Sequence, residues 1–426
     1  MEKFIVTGGK RLKGSIRPAG NKNEALPVLA AVLLSENPIT LNNIPNIGDI
    51  NSLKKILEKL GVRISYRSEN KYEFDAKDLV TNEPDFNLCT KIRGSFLLAA
   101  PLMTRFNETK LPVPGGDTIG RRRLDTHLMV LEKLGAEIKQ EGNTFLFKCK
   151  GFKGADLFLD EASVTATENA IMAAVLAEGK TTIYNAACEP HIQGLCNMLN
   201  LMGANITGIG SNYLTIEGVD SLHGCEHFIQ PDHTEVGSLI GLAAVTNSEL
   251  TIFDPGFNNL GLILHFFKRL GVEVQKKGKD LFISSDQDLC VKNDSDKSIP
   301  KIDDAPWPGF PADLTSIMTV VATQCRGTIL IFEKLFESRL FWVDKLISMG
   351  AQIVLCDPHR AVVTGPSKLS GMKLNSPDIR AGMALLIAAL CADGVSEIYD
   401  IEQIDRGYQK IDERLNALGA EILRIK

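Results

Sequence analysis

No two cysteines in this sequence are spaced as a C-x-x-C pair, although it contains nine. Cys356 and His359 form a lone C-x-x-H without a second pair to complete a zinc site. A metal centre is therefore not expected, and the thiols read as buried free cysteines of a reduced cytoplasmic protein. No apolar run is long enough to span a bilayer; the longest, such as "MALLIAALCA" at 383–392, is half the length needed. The opening "MEKFIVTGG" has no basic-then-apolar leader pattern. Positive charge is not in excess either: the formal net charge is -5, which argues against general nucleic-acid binding. Membrane and nucleic acid both drop out as expected partners, and small molecules remain.

The chain does have a repeat. An apolar helix end, a glycine and a branched strand start recur as "LEKLGVRI" at Gly61, "LEKLGAEI" at Gly135 and "LNLMGANI" at Gly203. They return as "FKRLGVEV" at Gly271, "LISMGAQI" at Gly350 and "LNALGAEI" at Gly419. Glycine after an amphipathic helix is a C-cap signal, because it alone adopts the left-handed conformation without a Cβ penalty. Upstream in each copy lies a segment apolar on almost every side, such as "ENAIMAAVLA" or "AGMALLIAAL", which predicts a buried helix. The unit reads βαβαββ, six times over, so the expected fold class is α/β with three repeats in each of two domains. The expected boundaries are 22–230 for one domain, with a loop at 112–124, and 1–21 plus 231–426 for the other, the first strands completing the last repeat.

Chemistry-bearing residues recur just before the helices. "GNKNEA", "KIRGS", "SVTATEN", "PDHTEVG", "FPADLTS" and "PDIRAGM" precede the buried helices, and "GDTIGRRRLD", "FESRLF" and "IDRGYQ" precede amphipathic ones. Asp, Asn, Ser and Thr are ordinary N-caps. Cations are not, since they oppose the helix dipole. Arg93, Arg122, Arg339, Arg380 and Arg406 are read as occupying helix starts, so an anionic ligand is the expected reason for them. The stretch "PGGDTIGRRRLD" at 114–125 adds a Pro-Gly-Gly hinge, an acid and three arginines, as in a mobile lid.

Taken together, "NKNEALPVLAA", "PGGDTIGRRRLDTH", "APWPGFPADL", "SPDIRAGMALLIAAL" and "IDRGYQKIDERLNALGA" resemble the UDP-N-acetylglucosamine 1-carboxyvinyltransferases, relatives of 5-enolpyruvylshikimate-3-phosphate synthase. The resemblance implies two inside-out α/β barrel domains with the active site in the cleft between them. It implies transfer of the enolpyruvyl group of phosphoenolpyruvate to a sugar 3′-hydroxyl, through a tetrahedral ketal, without metal or organic cofactor. By the same resemblance Lys22 and Asn23 hold phosphoenolpyruvate, and Arg122, Arg380 and Arg406 grip phosphate and carboxylate. Asn23, Arg93, Arg122, Arg123, Leu124, Asp125, Thr126, Ser163 and Val164 meet the UDP-sugar, with Leu335 on the uridine side. Asp313 is the candidate general base, Asp378 orients Lys22 or an arginine, and Arg339 supports the cluster. Asp117 is the proton donor to the methylene carbon. A monomer in the cytoplasm, serving cell-wall synthesis, is expected.

Four positions depart from the commonest family pattern. Asp117 stands where many members carry cysteine, Glu161 and Gly48 replace lysine, and Thr165 replaces glycine. A carboxylate is a poor nucleophile towards an epoxide, so insensitivity to fosfomycin is expected. Two other readings compete: the same transfer to a different acceptor, and a UDP-sugar-binding paralogue without catalysis.

Overall fold

The computed structural model describes residues 2–116 and 119–426. They form two compact units, a central one of residues 20–116 and 122–230 and a terminal one of residues 2–19, 119–121 and 231–426.

In the terminal unit three helices, His233–Val245, Thr315–Gln324 and Ile379–Cys391, pack on one another. All thirteen residues of His233–Val245 are buried, as the all-round apolar pattern requires. Three four-stranded sheets surround them. Each joins a parallel pair to antiparallel strands, for example Lys301–Asp303 beside Gly327–Phe332, which pairs in turn with Arg360–Gly365. The start of the chain belongs to the last repeat: Lys3–Thr7 lies between Val395–Tyr399 and Glu421–Ile425, antiparallel to both.

The central unit follows the same plan. Lys22–Ala31, the 3₁₀ turn Arg93–Leu98 continuing into Ala99–Phe106, and Val164–Ala174 provide its inner helices. Its sheets have four, three and four strands. The unit 156–217 shows the repeat plainly: strand Asp156–Phe158, helix Val164–Ala174, strand Lys180–Tyr184, helix Pro190–Leu201, then the hairpin Asn205–Thr207 and Tyr213–Glu217. Among the described residues no sheet closes on itself into a continuous barrel.

The six repeat glycines all sit in the left-handed region, with φ from +79° at Gly271 to +110° at Gly350. At Gly61 the backbone N–H closes the helix by donating to the carbonyls of Glu58 and Leu57. This turn returns the chain from each amphipathic helix to its hairpin, leaving the inner helices' N-termini to carry the polar clusters. The nine cysteines are free; Cys89, Cys149, Cys188, Cys196 and Cys325 are buried, but Cys356 is exposed on strand Gln352–Asp357. Cys225, Cys290 and Cys391 are partly exposed, so the expectation of buried thiols is corrected at four positions, most fully at Cys356 on the strand's outward face. No helix among the described residues is long and apolar enough to cross a membrane.

Candidate active site

In the central unit the helix Lys22–Ala31 starts at Asn21, whose side chain accepts from the N–H of Glu24 at 3.1 Å. Lys22, the first helical residue, is buried and pairs with Asp49 at 2.7 Å. Glu24 fixes the same turn from the other side: Oε1 meets Nε2 of His227 at 2.9 Å and Oε2 accepts from the N–H of Gln230 at 3.0 Å. The ammonium is thus held on a clamped helix end, where its partner is Asp49 on the first turn of helix Gly48–Leu60. Asn23 follows it and is half-buried.

Arg93 begins its 3₁₀ turn and sends Nη2 to the carbonyls of both Arg122 and Arg123, each at 2.9 Å. Burial, aided by the charge of Arg122, lowers its pKa to about 10. The guanidinium therefore shapes the tri-arginine turn. Arg123 bridges Asp125 at 3.2 Å and Asp160 at 3.0 Å, and Arg121 is exposed. Leu124 caps helix Asp125–Lys133 and packs against the core. Thr126 is buried and donates to Asp160 at 2.9 Å and Glu161 at 3.3 Å. Ser163 is the N-cap of Val164–Ala174, and its hydroxyl makes no capping bond there. Val164 is partly buried beside it.

A buried relay runs behind this helix start. Asn169 donates to the carbonyl of Phe96 and contacts Nδ1 of His127 at 3.0 Å, while Nε2 of His127 meets Oγ1 of Thr165 at 2.8 Å. Burial first, then the charge of Arg93, pushes His127 down to about 3, so the ring is neutral across working pH. With the Asn169 amide donating to Nδ1, the ring proton sits on Nε2 and points at Thr165. The residue at the glycine-to-threonine departure is thereby built into the unit.

In the terminal unit Asp313 lies between two guanidiniums. Arg339 Nη2 donates to Oδ1 at 2.9 Å, and Arg380 donates to Oδ2 through Nε at 3.0 Å and Nη2 at 2.8 Å. Burial alone would raise this carboxyl, but the two arginines outweigh it and hold it well below the usual range. Held in this way it is a weak base. Asp378 caps helix Ile379–Cys391 by accepting from the N–H of Arg380 at 2.7 Å and of Ala381 at 2.9 Å. Tyr408 touches Arg380 Nη1 at 3.3 Å and Ser238 at 2.9 Å. Leu335 is exposed, its N–H tied to Asp304 at 3.2 Å.

Arg406 corrects the helix-start reading. It directly follows the short helix Glu402–Asp405 and donates to Gln403 at 2.8 Å. The amphipathic helix that "IDRGYQ" precedes is Ile411–Asn416, which begins only after Arg406 and the left-handed Lys410 (φ +43°). Arg122 and Arg339 likewise lie in the turns before helices Asp125–Lys133 and Val343–Ser348; Arg93 and Arg380 alone stand inside first turns. Of the loop, Ile119 accepts from the N–H of Ser338 at 3.2 Å and Arg121's N–H donates to Glu337 at 3.1 Å. Asp117 lies outside the described residues.

The comparisons decide the family. An EPSP synthase (3-phosphoshikimate 1-carboxyvinyltransferase) family model matches residues 6–415. A UDP-N-acetylglucosamine 1-carboxyvinyltransferase of Bradyrhizobium diazoefficiens is 54% identical, covering 99% of this chain and 98% of its own. The chain belongs to the UDP-N-acetylglucosamine 1-carboxyvinyltransferase family. Members from Treponema denticola (54%, 99% of each chain) and Bacteroides fragilis (52%, 100% of each) match equally fully. Among solved structures, an enolpyruvyl transferase of Streptomyces tendae superposes with TM-score 0.87 at 22% identity over 99% and 98% of the chains. The EPSP synthase of Acinetobacter baumannii gives 0.77 at 16% identity over the full length of both. At such identities these neighbours speak for the fold, which is that of the enolpyruvyl transferases.

Asp49, His127, Asp160 and Tyr408 are site features that motif reading missed. Asp49 alone left a trace, an acid in a helix's first turn. Among the described residues no group of three or more His, Cys, Asp or Glu side chains is arranged to hold a metal ion.

Proposed function

We propose that this transferase moves the enolpyruvyl group of phosphoenolpyruvate to the 3′-hydroxyl of UDP-N-acetylglucosamine and releases phosphate, the first committed step of peptidoglycan synthesis, as a cytoplasmic monomer. The observation that carries it is identity of 54% over 99% of the chain to a protein of that name, together with the arginine–carboxylate cluster at Asp313.

In this reading Lys22 and Asn23 hold phosphoenolpyruvate, with Arg122, Arg380 and Arg406 on its phosphate and carboxylate. Planar guanidinium forks suit both oxyanions and neutralise charge developing in the transition state. Arg93, Arg123, Leu124, Asp125, Thr126, Ser163, Val164 and Leu335 line the nucleotide sugar. Asp313 takes the 3′-hydroxyl proton as that oxygen bonds C2 of phosphoenolpyruvate, and Asp117 protonates C3. The tetrahedral ketal then loses phosphate and a C3 proton to give the enol ether. The segment 112–124 acts as the lid.

Asp117 makes the enzyme insensitive to fosfomycin, because it offers the epoxide no thiolate. Asp117→Cys restores sensitivity, and a covalent fosfomycin adduct on the unaltered protein overturns the idea. The activity itself is tested by phosphate release from phosphoenolpyruvate with and without UDP-N-acetylglucosamine. Release only with that acceptor is expected; release with another alcohol in its place favours a different acceptor, and no release favours a non-catalytic paralogue.

A further inference from the structure

Asp313 presents a difficulty for any chemistry that needs it as a base. Both of its oxygens are occupied by guanidinium donors, and a carboxylate so held has little affinity for a proton. One of the two guanidiniums is only half engaged. Arg339 is 5% exposed and spends Nη2 on Asp313, while its Nε and Nη1 make no hydrogen bond among the described residues. Buried guanidinium donors left without acceptors are costly and call for a partner.

The complementary defect lies alongside. Glu333, fully buried just past strand Gly327–Phe332, has both carboxyl oxygens without a hydrogen bond. Its backbone is fixed, its N–H donating to the carbonyl of His359 at 2.8 Å and its carbonyl meeting Nδ1 of His359 at 2.7 Å. Only the side chain is left to choose. The groups facing it are Arg339, Asp304 and Thr315; the side chains of Asp304 and Thr315 come within weak hydrogen-bonding reach of its carboxyl, though neither meets it in good geometry. Asp304 is already an acceptor for the N–H groups of Lys334 and Leu335. Burial, assisted by the charge of Asp304, pushes the Glu333 carboxyl up to about 9 against the pull of Arg339, so it is a neutral acid at pH 7. Arg339 is faced in turn by Asp313, Glu333 and Asp378, and Asp313 by Arg380 and His233. Arg380 meets Tyr408 and Asp232.

We infer that Glu333 is a positioning residue: its carbonyl oxygen is the second acceptor for Arg339, and when Arg339 turns to it, Asp313 Oδ1 is released to take the sugar proton. This rests on the reading above that Asp313 is the base. The exchange moves no proton at Glu333. The 3′-O–H bond breaks, its proton goes to Asp313, and its electron pair forms the bond to C2. Arg380 stays on Oδ2 throughout, so Asp313 is never without a cationic neighbour. Arg339 meanwhile exchanges one buried acceptor for another rather than being stranded.

The test compares Glu333→Gln, which keeps a neutral carbonyl acceptor, with Glu333→Met, which has none. Wild-type acceptor-dependent phosphate release is measured alongside, so that failure of the activity reading is told apart from failure of this inference. Glu333→Gln is expected to retain kcat within a few-fold. Glu333→Met is expected to lose about 10²-fold in kcat, the scale of a general-base contribution, with KM for both substrates nearly unchanged. Its acid limb in the kcat–pH profile is expected to move to lower pH, because Arg339 then stays on Asp313. Glu333→Asp, with the carboxyl drawn back by one methylene, serves where the methionine variant does not fold, and the same loss is expected of it. Wild-type kcat and profile in a folded methionine or aspartate variant overturns the inference. So does a glutamine variant as impaired as the methionine one.

Discussion

At the scale of single residues, charge state is set by what surrounds each side chain more than by its type. His127 is the clearest case. Its folded pKa of about 3 lies below the ordinary value of about 6.5, so the unfolded chain binds the proton first as pH falls. The stability that neutral His127 contributes is therefore present above pH 6.5 and is lost as pH falls towards 3. Over that window the slope approaches about 1.4 kcal/mol per pH unit for one group. Replacing the histidine by glutamine, which keeps an amide near Thr165, is expected to flatten this part of the curve. Urea midpoints at pH 7 and pH 5 check it, and an equal pH dependence in both proteins contradicts it. At Asp117 the sign runs the other way, because a proton donor must hold its proton. A free aspartate titrates near 3.9 and a cysteine near 8.5, so activity is expected to decline with rising pH earlier than in Asp117→Cys. A rate flat from pH 6 to 9 counts against Asp117 as the acid.

At the scale of elements, the helix starts decide where the charged side chains stand. Asp378 caps the helix that carries Arg380, with its carboxylate on the N–H of Arg380 itself. Asp378→Ala is expected to cost about 1 kcal/mol of stability, the usual value of an N-cap. It is also expected to raise KM for phosphoenolpyruvate, because the arginine loses its fixed backbone. A lowered melting temperature with unchanged KM leaves only the structural part. Packing between inner helices is just as exacting. A Cβ at Gly237 would meet Leu314 at 2.6 Å, next to Asp313, so Gly237→Ala forces that side chain aside. A loss of about 1–3 kcal/mol with reduced kcat is expected, read by calorimetry and steady-state rates.

These elements also show what sequence alone could reveal. The repeat glycines were legible because a left-handed C-cap is a local backbone demand, met at Gly61, Gly135, Gly203, Gly271, Gly350 and Gly419 alike. Buried helices were legible because no face of "VGSLIGLAAV" is polar. Partners were not. Nothing near Lys22 in sequence names Asp49, since that choice is made by tertiary packing. Arg406 was misplaced for a subtler reason: "IDRGYQ" looks like a helix start, yet the amphipathic helix begins only at Ile411, and the arginine stands between it and the short helix Glu402–Asp405.

At the scale of the whole molecule, six copies of one supersecondary unit supply the architecture, and the differences between copies supply the chemistry. The copies share inner helices and capped returns. They differ in what stands at the helix entry: a lysine paired to Asp49, an arginine over the 122–123 carbonyls, a carboxylate between two guanidiniums. The most direct measurement of the central claim follows product formation by mass spectrometry, with phosphate counted in the same samples, in reactions of phosphoenolpyruvate with UDP-N-acetylglucosamine. A nucleotide sugar heavier by one enolpyruvyl group is expected, with one phosphate released for each. Phosphate without that product, or neither with both substrates present, contradicts it.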